Sequence, residues 1–444
     1  MAGSQGNSIL GSLGKLTELR QRIFFVIGAL VVFRLGSFIP VPGVNPEAMS
    51  NFVNQQGGLL GMFNMFSGGA LSRLSVFALG VMPYISASIV VQMMGAVVPS
   101  MQQLRKEGEA GQRTLTMYTR MGTVALAAFQ AFGIAVALQK QHAPDGSALV
   151  YFQGGGFVLS AVVGLTAGAM FLMWLGEQMT ERGVGNGISL LIFAGIVAGL
   201  PSAVVHTLTM SHNGELSTLR MFMVIAVVLG VTAFVVFMEK ALRKITVNYA
   251  RRGGGRQGYQ NQSSSLPLKI NMSGVIPPIF ASSLLMFPAT VANFMGSSNG
   301  TKAHWLTTLT TALSPGEPLH DVIYGALILV FAFFYTAIVF NSQETADNLK
   351  RSGALIPGIR PGRSTANYID GVMTRLTAVG AIYLVLVCLV PTFLQNAWHV
   401  PFYFGGTSLL IVVVVVMDFT AQISAHMYSH QYDNLLKKAN LRRS

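Results

Sequence analysis

The chain has 444 residues, of which 52% are hydrophobic and only 10% charged, with 29 lysines and arginines against 16 acids. A soluble domain carries about 25% charged residues, so this composition, with a mean hydropathy of +0.54, excludes a string of soluble domains and describes a polytopic membrane protein. The single cysteine, Cys388, lies in an apolar run and excludes an intrachain disulfide.

Residues 1–14 are rich in glycine and serine and are expected to be disordered. Lys15, Arg20 and Arg22 then precede a first apolar span, about Ile23–Ile39. The pattern begins like a signal peptide, but no small-residue cleavage site follows, so the reading is a retained helix closed by Pro40 and Pro42. The stretch Leu59–Val98 organises what comes next. Its first part is too short to cross a bilayer, which needs ~20 apolar residues of helix, and is broken by Ser67, Gly68 and Gly69. Its second part, Ser75–Val98, is long enough, and Pro83 is expected to interrupt its hydrogen-bond ladder. A short broken segment beside a full span is the pattern of a re-entrant element, which survives at membrane depth only where protein or water covers its backbone.

Further spans are predicted at about Thr116–Leu138, Gly156–Leu175, Ile188–Val205, Leu219–Met238, Met272–Phe294, Asp321–Phe340, Arg375–Phe393 and Phe402–Ala421, giving ten in all. On this count 24 of the 29 basic residues fall on the side of the N-terminus, leaving Arg34, Arg73, Lys140, Arg220 and Lys302 outside. The positive-inside rule then puts both termini in the cytoplasm. The domain reading is a cytoplasmic segment 1–22, a first half 23–205 with the re-entrant element at 59–74, a second half 206–421, and a cytoplasmic tail 422–444. Two cytoplasmic loops, 239–269 and 341–375, are built for partners. The first carries seven basic residues and favours anionic lipid, RNA or an acidic protein surface. The second holds Arg360 between the turn dipeptides Pro357-Gly358 and Pro361-Gly362.

Chemical motifs are few. The chain has no Gly-x-x-x-x-Gly-Lys-Ser/Thr phosphate loop, and Gly183–Gly187 reads as a tight turn into the fifth span. His426 and His430 lie one helical turn apart, but no third ligand is in sight, so an amphipathic tail helix is the reading and no metal is expected. The spans hold no carboxylate or histidine at mid-membrane, which argues against an ion-coupled solute transporter. A structural scaffold of a membrane complex is the third class. Gly164-x-x-x-Gly168 and Gly195-x-x-x-Gly199 suit close helix approach. The pairs Val81/Ile85 and Ile188/Ile192 each put an apolar patch on one helix face; packing explains them, as would a dewetted constriction. Ser86, Ser88, Gln92, Thr123, Gln130, Asn186, Asn271, Ser282 and Ser283 are polar residues inside spans, expected to bond between helices or to line a seam.

At these residues the chain resembles the SecY family, central subunits of the bacterial protein-conducting channel. The resemblance runs from about Leu13 to Leu441. It is strongest in Phe63–Arg73 (FNMFSGGALSR), Gly80–Ile89 (GVMPYISASI), Trp174–Ser189 (WLGEQMTERGVGNGIS), Glu344–Lys350 (ETADNLK), Pro357–Gly362 (PGIRPG) and Pro401–Ile411 (PFYFGGTSLLI). It implies an all-α polytopic fold of ten transmembrane helices, arranged as two five-helix halves in an inverted pseudo-repeat with a short re-entrant plug helix. Phe63, Asn64, Met65, Phe66, Ser67, Gly68 and Gly69 match the plug, and Val81, Ile85, Ile188, Ile192, Ile279 and Ile411 the apolar pore ring. Ser86, Gln92, Thr123, Ser282 and Phe287 match the lateral gate, and Arg251, Arg252, Arg256 and Arg360 the partner-docking tips. Two positions depart from the pattern: Val81 stands where isoleucine is common, and Pro278 follows Pro277 where alanine is expected. The implied activity is passive. Unfolded secretory chains cross the cytoplasmic membrane of a bacterium and apolar helices leave sideways into lipid, with no enzyme activity and no cofactor. The implied partners are the SecE and SecG subunits, the motor ATPase SecA, a translating ribosome with its nascent chain, secretory preproteins, anionic lipids and accessory membrane-insertion factors.

Overall fold

The structure is a computed structural model and describes residues 17–56, 64, 66–141, 147–213, 217–249, 264–295, 312, 317–398 and 406–441. It divides into two compact units, the first made of Met1–His212, Met286–Pro315 and Ile411–Ser444, the second of Asn213–Leu285 and Gly316–Leu410.

In the first unit the described helices are α1 (Thr17–Gly36), α2 (Pro46–Gln56), α3 (Met82–Val97), α4 (Pro99–Lys106), α5 (Glu109–Lys140), α6 (Gly155–Arg182) and α7 (Gly187–His212). The span expected over Ser75–Val98 is corrected: residues 67–81 run as turns, and helix begins only at Met82. Pro83 therefore does not break a ladder. It sits in the first turn of α3, where its missing N–H has no intrahelical partner to lose. Pro99 then starts α4, which leaves α3 at 96°. Alanines at 127, 131 and 135 form a smooth buried stripe on α5, which packs with Leu165 and Ala169 of α6 in one core that also takes in Val41, Phe52, Leu74 and Leu79. Strand-like bridges Pro40–Ser75 and Val44–Val150 tie the connections together.

The second unit contains α8 (Thr218–Lys240), β1 (Leu242–Tyr249), β2 (Ser264–Lys269), the start of α9 (Ile276–Met295), α10 (Pro318–Val339), α11 (Ser342–Arg351), β3 (Ala354–Leu355), α12 (Arg363–Trp398) and the first residues of α13 (Gly406–Leu441). Pro277 and Pro278 both fall in the first turn of α9, so the departure at Pro278 costs no helical hydrogen bond. The two long loops are not independent. β1 pairs antiparallel with β2 and, at Asn248 and Tyr249, with β3, giving the order β2-β1-β3. One face of this sheet buries Ile245 and Leu268 against Ile356, Ile369 and Met373, so the sheet stands on the start of α12.

Each of the ten expected spans is occupied by a helix: α1, α3, α5 to α10, α12 and α13. Among the described residues six helical segments are long and apolar enough to cross a membrane, or seven with α3 and α4 counted as one, while Gly187–Pro201 and Ile276–Leu285 are shorter apolar helices.

Candidate functional site

The turn-rich segment is a compact knot of its own hydrogen bonds. Asn64 accepts Ser72 N–H at its side-chain oxygen (2.8 Å), and Ser67 Oγ (3.0 Å) and Gly69 N–H (2.8 Å) at its carbonyl. Ser67 Oγ in turn accepts Leu71 N–H at 3.3 Å, and Ser72 Oγ donates to the Gly69 carbonyl at 2.8 Å. Gly68 adopts φ +69°, a left-handed conformation that suits glycine. Its position also leaves no room: a Cβ there would lie 3.1 Å from Gly195 Cα of α7. Leu74 is a buried non-glycine residue at φ +42°, a strained backbone costing about 1–2 kcal/mol, held by Val41 N–H on its carbonyl at 2.9 Å. Phe63 and Met65 of the expected plug lie outside the described residues.

These contacts correct the reading of the Gly-x-x-x-Gly motifs. In each, one glycine serves close approach, and the approaching partner is this non-helical segment rather than another helix. A Cβ at Gly195 would meet Phe66 O at 2.8 Å, and one at Gly168 would collide with Val76 O; at Gly164 and Gly199 a Cβ would meet nothing.

Of the six apolar candidates, Val81, Ile85, Ile192, Ile279 and Ile411 are buried and Ile188 is half-buried. Val81 is the residue before α3 rather than part of it, and its carbonyl accepts Ile85 N–H at 3.1 Å, so the two do share a face. Ile188 lies beside Gly176 of α6, whose added Cβ would touch its Cγ1 at 2.8 Å. Asn186 caps α7, accepting Ile188 N–H (3.1 Å) and Ser189 N–H (3.2 Å), which fixes the direction in which Ile188 and Ile192 leave the glycine-rich turn.

The polar residues of the spans mostly bond within their own helix, not between helices as expected. Thr123 Oγ1 donates to Thr119 O (2.7 Å), Ser282 and Ser283 Oγ to Ile279 O (2.9 and 2.8 Å), and Gln92 Nε2 to Ser88 Oγ (3.0 Å). A hydroxyl satisfied on its own backbone leaves the helix face free to part from a neighbour without exposing an orphaned group. Asn271 is the exception: its amide donates to Glu239 of α8 at 2.6 Å. Ser86 is half-buried on α3. Phe287 lies in the helical part of α9, and its side chain is outside the described residues.

Arg251, Arg252 and Arg256 also lie outside the described residues. Arg360 is exposed, and its carbonyl accepts Thr365 Oγ1 at 2.9 Å. The turn before it, Ile356–Ile359, closes with a 3.1 Å backbone bond across Pro357 and Gly358, the latter at φ +81°, as a type II turn requires. Together with Asn248 of β1 these residues line a shallow cavity of about 450 Å³.

Two features escaped the sequence reading. Arg120 of α5 meets Glu177 of α6 in a two-point ion pair (3.1 and 2.7 Å), and Tyr324 of α10 shares a buried 2.8 Å hydrogen bond with Thr407 of α13. Both join residues far apart in sequence, so no periodicity announces them.

Six or seven helices long and apolar enough to cross a membrane among the described residues, with a segment of irregular backbone packed on α6 and α7 in the first unit, describe a multi-pass membrane protein. The SecY family profile matches residues 75–420. The protein translocase subunit SecY of Escherichia coli strain K12 is 56% identical over 443 residues, covering 100% of this chain and 99% of that protein. Its counterpart in Vibrio cholerae is 56% identical over 444 residues with the same coverage. The chain belongs to the SecY family. Among solved structures, a protein-conducting channel superposes with a TM-score of 0.67 over 92% of each chain at 16% identity. A SecY structure, whose plug domain is described as stabilising the closed state and maintaining a membrane seal, superposes at 0.62 over 94% of this chain and 96% of that one at 15% identity. A channel from a canine ribosome-channel complex of the endoplasmic reticulum gives 0.63 over 92% of each chain at 14% identity.

Proposed function

We infer that the chain is the pore-forming subunit of a bacterial protein translocase, a protein-conducting channel and not an enzyme. The observation that carries this is full-length identity of 56% to translocase subunits, on a fold shared with channel structures. The finer assignments follow from chemistry. Val81, Ile85, Ile188, Ile192, Ile279 and Ile411 form an apolar neck that expels water. An ion in such a neck faces a solvation cost ideally on the order of tens of kcal/mol, whereas a flexible chain displaces the side chains as it passes. Asn64 and Phe66–Gly69 belong to the seal on that neck. Ser86, Gln92, Thr123, Ser282 and Phe287 lie along the seam through which apolar helices reach lipid. The hydroxyls of Thr123 and Ser282, each bonded to the backbone of its own helix, support that role.

Energy comes from outside the chain. Arg360 and the basic residues Arg251, Arg252 and Arg256 receive the motor SecA or a ribosome at the cytoplasmic face of the inner membrane, and SecE and SecG complete the complex. The ribosome-bound channel among the structural neighbours supports the ribosome as a partner. The test is ion leak in planar bilayers. Ile192→Ser with Ile411→Ser is expected to raise conductance well above the parent. The control is serine at two exposed apolar positions, Val416 and Ile225. Equal leak from both pairs refutes the neck.

A further inference from the structure

Two of the basic residues that fall on the outer side of the membrane by charge count, Arg34 and Arg73, meet on one aromatic ring. Arg34 Cζ stands 4.8 Å from the centroid of Phe38 and Arg73 Cζ 4.3 Å from it. Arg34 closes the last turn of α1, where a cation also suits the helix dipole. That role does not explain where its guanidinium goes: Nη1 donates to the Gly68 carbonyl at 2.7 Å, 34 residues further along the chain.

The bond matters because of what surrounds it. The other hydrogen bonds of residues 64–73 close on the segment itself or on Leu74 and Ser75. Among the described residues, Arg34→Gly68 is the hydrogen bond that ties this knot to another element. Arg73, inside the knot, adds its stacking on Phe38. The backbone at Gly68 also packs closely on Gly195 of α7. Residues 74–76 are anchored separately, by Val41 N–H on the Leu74 carbonyl and by Val76 N–H on the Ile39 carbonyl, so residues 64–73 can swing from that anchor without exposing their internal donors once the Arg34 bond breaks.

We propose that Arg34, braced on Phe38, is the latch that holds residues 64–73 in their seat. It is a positioning residue: it acts through the Gly68 carbonyl. The proposal rests on reading the segment as the channel's seal, and the experiment separates the two.

Ser67 is 3% exposed, so a thiol there reports unseating. The full-length translocase complex carrying Cys388→Ser and Ser67→Cys is placed in vesicles and treated with a membrane-impermeant maleimide, and the same variants are assayed for ion conductance. A charge-assisted hydrogen bond shifts a two-state population by about tenfold or more. Arg34→Gln is therefore expected to speed labelling about tenfold or more. Arg34→Lys, which keeps a cationic donor, is expected to stay near the parent. Phe38→Leu, which removes the brace, is expected to fall between them. Labelling unchanged by Arg34→Gln overturns the latch, even if deleting residues 66–71 opens a leak, in which case the seal reading stands alone. Faster labelling without added conductance upholds the latch and overturns the seal. If Arg34→Gln does not accumulate, Phe38→Leu decides, and unchanged labelling there overturns the proposal.

Discussion

Adding one methyl group to each glycine of the two Gly-x-x-x-Gly motifs should have opposite effects within each motif. In a helix interior Gly→Ala gains about 0.8–1.0 kcal/mol in backbone propensity. At Gly164 and Gly199 the new Cβ meets nothing within 4 Å, so that gain stands. At Gly195 the Cβ would lie 2.8 Å from Phe66 O and 3.3 Å from Gly68 N, both backbone atoms of the segment that Arg34 holds. Overpacking of this kind costs about 1–3 kcal/mol, so Gly195→Ala should be net destabilising by up to about 2 kcal/mol. At Gly168 the clash is with Val76 O and is closer still, so the loss belongs at the upper end of that range. Apparent unfolding midpoints of the purified variants, in one detergent at one scan rate, should rise for Gly164→Ala and Gly199→Ala and fall for Gly168→Ala and Gly195→Ala. Gly195→Ala should in addition raise resting ion conductance, because the strain falls on the seat of the segment. If Gly195→Ala and Gly199→Ala move the midpoint in the same direction, the packing of residues 66–68 on α7 is not the reason for glycine at 195.

The Arg120–Glu177 pair predicts an asymmetry. Glu177's side chain is 15% exposed and Arg120's 51%, so Arg120→Ala strands a largely buried carboxylate, costing about 1–2 kcal/mol after discounting for solvent on the arginine side. Glu177→Gln keeps an acceptor for the guanidinium and should cost about half as much or less; equal losses in thermal unfolding would contradict the buried-carboxylate account. Arg360 is exposed at the end of a rigid turn, a fixed fork of donors for an acidic or phosphate partner. Arg360→Glu should leave the amount of folded protein unchanged and stop motor-driven transport, and a parallel fall in both would assign Arg360 to stability instead.

The sequence determined the helices. A backbone in lipid must satisfy its own hydrogen bonds, so a helix occupies each of the ten expected apolar runs, although in Ser75–Val98 it begins only at Met82. It also carried the family, because long motifs such as Trp174–Ser189 survive as ordered strings of letters. What it did not carry were pairings between distant residues. Pro83 looked like a break because composition does not say where a helix begins, and only the turns over 67–81 put it in a first turn. The small residues of Gly-x-x-x-Gly fit any close neighbour, and only tertiary packing chose an irregular segment over a helix. The loops at 239–269 and 341–375 became one sheet through Asn248–Leu355 and Tyr249–Ala354, bonds whose partners lie about a hundred residues apart. Arg34 read as one of the stray outer charges. A guanidinium has many possible acceptors, and only the fold brought the Gly68 carbonyl within 2.7 Å of it.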